Sequence, residues 1–126
     1  MVGINLSFMH RTRVIIIEDE FFAASHLEET VESLGFEVVA IYYSGEEFLT
    51  QTEWAFDVAL VDVSLSDDLN GIDVAREMRK EGKGFVFITA SQDEKTMMAA
   101  MSLEPIAYIN KPFQMREVAN ALNGVD

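Results

Sequence analysis

Val14-Ile15-Ile16-Ile17-Glu18-Asp19-Glu20 is the stretch on which the fold of this chain turns. Four consecutive β-branched residues without alternation suit a strand covered on both faces, as in a parallel sheet; a strand with one wet face would alternate. The run stops abruptly in three carboxylates, so the carboxyl end of this strand carries charge. Immediately outward, Phe22, Leu27, Val31 and Leu34 fall at helical spacing, with Gly35 as the stop.

The same strand-then-helix unit recurs along the chain. Glu37 to Tyr42 reads as a second strand, and Ser44 with Glu47 forms a capping box for a helix to about Gln51. Asp57 to Asp62 is a third strand, again ending in a carboxylate. A polar loop, Ser64 to Gly71, leads to a helix over Ile72 to Glu81 and a Gly82-Lys83-Gly84 turn. Phe85 to Thr89, a helix from Asp93 to about Leu103, Ala107 to Ile109 and a closing helix from Met115 to Leu122 complete five units. Alternation at this spacing predicts an α/β fold: a five-stranded parallel sheet, doubly wound as (βα)5, with helices on both faces because crossovers are right-handed.

The chain of 126 residues suits one domain, expected over residues 13–126 after a poorly ordered extension over residues 1–12. Cys is absent, which excludes disulfides, thiolate metal sites and Cys nucleophiles and permits a cytoplasmic location. Nine Lys and Arg against 22 Asp and Glu give a net charge of −13, which repels phosphate backbones and argues against direct nucleic-acid binding. No apolar run approaches the ~20 residues of a bilayer span. Met1 to Met9 lacks a basic leader and a cleavage site, so neither a signal peptide nor a membrane partner is expected.

Open parallel sheets bind ligands at the carboxyl ends of their strands. Four such ends here carry Glu18-Asp19, Asp62, Thr89 and Lys111. Taken singly, each has a plainer reading: Glu18-Asp19 as a helix cap, Lys111-Pro112 as a turn. Brought to one edge, three carboxylates repel and call for a cation, and oxygen donors with few protein ligands favour Mg²⁺.

The segments Ile17-Glu18-Asp19-Glu20, Leu60-Val61-Asp62, Ile88-Thr89-Ala90 and Tyr108-Ile109-Asn110-Lys111-Pro112-Phe113 together resemble the signature of response-regulator receiver domains of two-component systems, over about residues 13–124. The resemblance implies a flavodoxin-like three-layer sandwich, like the chemotaxis response regulator. It implies Asp62 as phosphoacceptor and Mg²⁺ held by Asp19 and Asp62 directly, by Glu18 through water and by the backbone carbonyl of Ser64. It also implies Thr89 and Lys111 on the incoming phosphoryl oxygens, and Thr89 with Tyr108 as the switch pair. The implied donor is a sensor histidine kinase or histidine phosphotransfer protein, and the implied output an unidentified downstream protein. Whether phosphorylation drives dimerisation stays open. The loop after Asp62 lacks the Pro often found there and is about one residue longer than in the chemotaxis regulator.

By that resemblance the chain catalyses its own phosphorylation and dephosphorylation. Ala90 is small and leaves the acylphosphate open to water, with Ser64 and Ser91 beside it. The readout face would include Met97, Met98, Met101, Tyr108, Phe113 and Met115, although Met97 and Met101, at i and i+4, read more simply as core. His26 is expected on the surface of the first helix, and His10 and His26 are poor relay candidates. The chain reads as a stand-alone regulator rather than an excised receiver. A haloacid-dehalogenase-type phosphatase would need Asp where Ser64 stands. A binding module that had lost phosphorylation would not need the complete set of five residues, and a nucleotide-binding domain would need a glycine-rich loop where Glu18-Asp19-Glu20 stands.

Overall fold

The computed structural model describes residues 11–65 and 69–125. Most of the extension expected over residues 1–12, and Asp67 and Asp68 of the polar loop, lie outside the described residues. The elements run β1 (Arg13–Ile17), α1 (Phe21–Ser33), β2 (Glu37–Tyr42), α2 (Gly45–Leu49), β3 (Val58–Val61), α3 (Gly71–Lys80), β4 (Gly84–Thr89), α4 (Glu94–Met101), β5 (Ala107–Asn110) and α5 (Met115–Asn123). All strand pairs are parallel, in the order β2-β1-β3-β4-β5. The chain leaves β1 toward one edge and, after β2, returns across it to β3. The loops therefore part above β1 and β3, and that crevice is where Glu18 and Asp62 emerge.

Strand alternation divides the core into two layers. Val14, Ile16, Val58, Leu60, Val86 and Ile88 pack beneath Ala24, Leu27 and Val31 of α1 and Val118, Ala121 and Leu122 of α5. Ile15, Ile17, Ala59, Val61, Phe85 and Phe87 face Phe48 of α2, Val74, Ala75 and Met78 of α3 and Ala100 of α4. All four residues of β3 are buried, as its unalternating apolar sequence requires. Each large side chain so enclosed contributes about 2 kcal/mol to folding.

Local chemistry starts and stops the helices. Glu20 caps α1 by accepting from the Ala23 N–H at 2.6 Å, and Gly35, at φ +92°, turns the chain out of the helix. Asn70 and Asp73 form a reciprocal capping box on α3. At α2, Ser44 accepts from the Glu47 N–H at 3.0 Å, but Glu47 accepts from Tyr43 at 2.8 Å rather than from Ser44, so the box expected there is only half formed. This helix also ends at Leu49, short of Gln51.

Two expectations for the apolar residues are corrected. Phe22 is 77% exposed, and the inner side of α1 begins at Ala24 instead. Five residues separate Phe22 from Leu27, which puts it about 140° round the helix from the buried stripe. Met97 and Met101, each 46% exposed, are not core, because Ala100 alone fills the inner face of α4.

Candidate functional site

Backbone hydrogen bonds tie the strand ends into one rim. The Glu18 N–H donates to the Tyr42 carbonyl at 3.0 Å, Asp62 N–H to Ile17 at 3.0 Å, and Lys111 N–H to Thr89 at 2.9 Å. These bonds continue the parallel ladders by one residue past β1, β3 and β5, so each polar side chain leaves the sheet at a fixed height. The residues expected at the site from sequence do converge: carboxylate oxygens of Glu18, Asp19 and Asp62 all lie within 4.8 Å of one another. Glu18 and Thr89 are buried, Asp62 is 8% exposed and Asp19 is half-buried.

Lys111 reaches into this acidic pocket. Its Nζ donates to Glu18 Oε1 at 2.6 Å and to Asp62 Oδ2 at 3.2 Å. The other Asp62 oxygen, Oδ1, accepts from the Ser64 N–H at 2.8 Å. Glu18 Oε2 accepts from the Glu20 N–H at 3.1 Å. Thr89 Oγ1 accepts from the Ser91 N–H at 3.1 Å and lies 3.4 Å from Ser64 Oγ. Two loops, one after β3 and one after β4, thus meet beside the Asp62 carboxylate through their hydroxyls.

Among the described residues Lys111 is the ammonium paired with Glu18 and Asp62, and burial acts on both ends of its bond to Glu18. Burial raises the Glu18 carboxyl pKa above its ordinary value, and this outweighs the lowering by Lys111 and the Glu20 N–H; the Asp62 charge pushes it up further. Burial by itself would lower the Lys111 ammonium pKa, but its hydrogen bond to Glu18 and the Asp62 and Glu18 charges carry it above its ordinary value. Lys111 is the ammonium that the described residues place in the pocket, and both Glu18 and Asp62 hold it. An all-oxygen donor set this close fits a hard divalent cation.

A pH dependence follows. Because the Glu18 pKa is raised on folding, the folded state holds its proton more tightly than the unfolded chain does, so the Glu18 contribution to the stability of the metal-free protein falls as pH rises from about 4.5 through the raised value. In Glu18→Gln that loss should flatten, as read by urea midpoints in EDTA between pH 4.5 and 7. A slope equal to that of the parent would mean that another group is responsible.

Tyr108 lies beside Phe87, with ring centroids 6.2 Å apart. Its hydroxyl is buried without a hydrogen-bond partner among the described residues, and burial, with the Asp93 charge, raises its phenol pKa. His26 is exposed on α1, as expected, and stacks on Phe113 at 5.3 Å. What sequence reasoning missed is the direct pairing of Lys111 with Glu18. The partners are 93 residues apart, and no local signal joins them. Glu20, rather than Glu18 or Asp19, is the cap of α1.

Comparison with known proteins agrees with this geometry. The sequence profile described as the response regulator receiver domain matches residues 14–123. The chain is 28% identical over 115 residues to the two-component response regulator PhoP of Pseudomonas aeruginosa, covering 90% of this chain and 51% of that protein. It is 26% identical over 116 residues to the response regulator SaeR of Staphylococcus aureus, covering 90% and 50%. The chain thus spans about half the length of the curated relatives it matches. Among solved structures, the signal receiver domain of a modulated diguanylate cyclase from Desulfovibrio desulfuricans G20 superposes with a TM-score of 0.84 at 31% identity, covering 90% of this chain and 92% of that one. A response regulator receiver domain protein from Methanospirillum hungatei JF-1 shares the fold, with a TM-score of 0.79 at 22% identity and the same coverage. No helix among the described residues is long and apolar enough to cross a membrane.

Proposed function

The chain belongs to the response regulator receiver domain family, and on that premise we propose that Asp62 accepts a phosphoryl group from a phosphohistidine in a Mg²⁺-dependent transfer that switches a protein-interaction face. The observation that carries the reading is the position of the Asp62 carboxylate, within 4.8 Å of two further carboxylates and held by Lys111 at 3.2 Å. Asp19 and Asp62 would hold the metal directly, Glu18 through water, and the Ser64 carbonyl would complete the protein ligands. When bound, Mg²⁺ would offset the repulsion between the acceptor carboxylate and the phosphoryl dianion.

The protein's own groups do the rest. An Asp62 oxygen attacks phosphorus while the phosphorus–nitrogen bond to the donor imidazole breaks, its electron pair returning to that nitrogen, which takes up a proton. The Ser64 N–H fixes the rotamer of Asp62. Lys111 shifts its hydrogen bonds from carboxylate to the arriving equatorial oxygens, and the Thr89 hydroxyl, now turned to Ser64 and Ser91, donates to another. Withdrawal of Thr89 toward the phosphoryl group leaves space for Tyr108, whose buried hydroxyl has no hydrogen-bond partner among the described residues. Family members take their phosphoryl group from histidine kinases; a sensor kinase or histidine phosphotransfer protein is the donor proposed here, and the target downstream is a protein.

Incubation with acetyl phosphate and Mg²⁺, followed by intact mass and peptide mapping, tests the reading. One phosphoryl group on the peptide containing Asp62, lost when EDTA replaces Mg²⁺, is expected. Labelling elsewhere, or none with any phosphodonor, would overturn it.

Lys111→Met separates the amine's two roles. Removing the ammonium leaves Glu18 and Asp62 less compensated, so Mg²⁺ affinity should rise about tenfold by titration calorimetry. Phosphoryl transfer should slow about a hundredfold, because the equatorial oxygens lose their cation. Weaker Mg²⁺ binding in this variant would contradict the competition between amine and metal.

A further inference from the structure

A groove of about 760 Å³ opens between α2, the loop that follows it and the outer side of α3, and none of its lining residues belongs to the acidic pocket. Its apolar lining is Leu49, Trp54 and Leu69. The loop after α2 turns Trp54 back onto Phe48 and Phe56, at ring distances of 4.8 Å and 6.2 Å, and that packing holds the indole in place. The ring stays half-buried and lines the groove with the rest of its surface. A space of this size takes a small organic molecule, and an indole flanked by leucines suits an apolar or aromatic body.

The charged lining selects the sign of the occupant. Asp73, Glu77 and Glu81 stand against Arg76 and Lys83. Both cations are already engaged. Arg76 donates to Asp73 at 3.2 Å, and Lys83 Nζ donates to the Phe56 carbonyl at 3.0 Å while standing 5.0 Å from the centre of the Phe56 ring. Glu77 accepts from Lys80 at 3.0 Å. Glu81 has no side-chain hydrogen bond or ion pair among the described residues. An anion would meet three carboxylates here, whereas a cation pairs the one left over and gains from the Trp54 ring face. We propose that the groove binds a small amphipathic amine, with its apolar body on Trp54, Leu49 and Leu69 and its ammonium on Glu81. The site is separate from the acidic pocket, and amine binding there does not rest on phosphoryl transfer. It does sit on α3, whose first residue, Gly71, donates to the Val63 carbonyl beside Asp62.

Trp54 is the one Trp of the chain, so its emission reads the groove directly. The test titrates the parent protein with phenethylamine and, separately, with 3-phenylpropionate, which puts the opposite charge on a body of the same kind. Phenethylamine should give a saturable change in Trp54 emission, half-complete at about 1 mM, and the methyl resonances of Leu49 and Leu69 should shift with the same midpoint. Phenylpropionate should bind at least about tenfold more weakly. Glu81→Gln should weaken the amine about tenfold, while Glu29→Gln, which removes an equal charge from the exposed side of α1, should change its affinity by less than about twofold. A response that never saturates, or equal binding of phenylpropionate, overturns the proposal. Equal effects of the two Gln variants overturn it as well, by showing that the amine answers only to the overall negative charge.

Discussion

Asp62→Asn is expected to abolish phosphorylation and, in metal-free buffer, to make the protein more stable. The loss is complete because an amide oxygen bound to an uncharged carbon centre is no nucleophile toward phosphorus at neutral pH, and no second carboxylate of the pocket is placed like Asp62 against the Ser64 N–H. The gain has a separate cause. The Asp62 carboxylate lies within 4.8 Å of those of Glu18 and Asp19, so removing its charge relieves its repulsion with both. The substituted side chain keeps an oxygen for the Ser64 N–H, and Lys111 keeps Glu18 at 2.6 Å. A gain of about 1 kcal/mol in EDTA follows, with most of the stabilisation by added Mg²⁺ lost. Chemical denaturation with and without Mg²⁺ reads both. A variant less stable than the parent in EDTA would show that Asp62 contributes structure beyond its charge.

Gly71→Ala should cause the largest loss of stability of any change near the site, although it adds one methyl group. Gly71 opens α3, and its N–H donates to the Val63 carbonyl at 3.0 Å. A Cβ there would strike the Asp62 carbonyl oxygen and stand 2.7 Å from Val63 Cα and 2.8 Å from the Asp62 carbonyl carbon. Every obstacle is backbone, so no rotamer relieves the clash; either α3 or the end of β3 must move. A cost of about 3 kcal/mol is expected. The surviving folded fraction should accept phosphate about a hundredfold more slowly, since a shift on the order of 1 Å in the acceptor misaligns attack. Gly35→Ala is the control: nothing lies within 4 Å of its Cβ, and only the positive φ opposes it. That change should cost about 1 kcal/mol and leave phosphorylation untouched. Similar thermal midpoints for the two variants would show that the contact of α3 with the Asp62 and Val63 backbone is not what makes Gly71 necessary.

The exposure of Phe22 and of Met97 and Met101 shows where periodicity alone falls short. Apolar residues recur on both sides of α1 and α4, and spacing cannot tell which side meets the sheet. The choice is made by the layer beneath. Ala24 and Leu27 of α1 and Ala100 of α4 are the side chains that enter the two core layers, so the larger rings and thioethers are left outside. The shortness of α2 has the same origin: Phe48, Trp54 and Phe56 pack on one another across its end, and the chain leaves the helix at Leu49 to allow it.

By itself, the sequence determined the order of strands and helices, the parallel sheet and the identity of Glu18, Asp19, Asp62, Thr89 and Lys111 as the residues at its carboxyl edge. Those properties are local: an unalternating β-branched run, a cap, a polar residue where the run ends. Only the tertiary structure decided that Lys111 bridges Glu18 and Asp62, that Thr89 turns to Ser64 and Ser91, and that Phe21, Phe22 and Tyr43 gather beside the pocket. The first two bring together side chains from different strand ends, and the cluster joins the start of α1 to the end of β2. Chain neighbours carry no information about such pairings, because strand order and register set the distances.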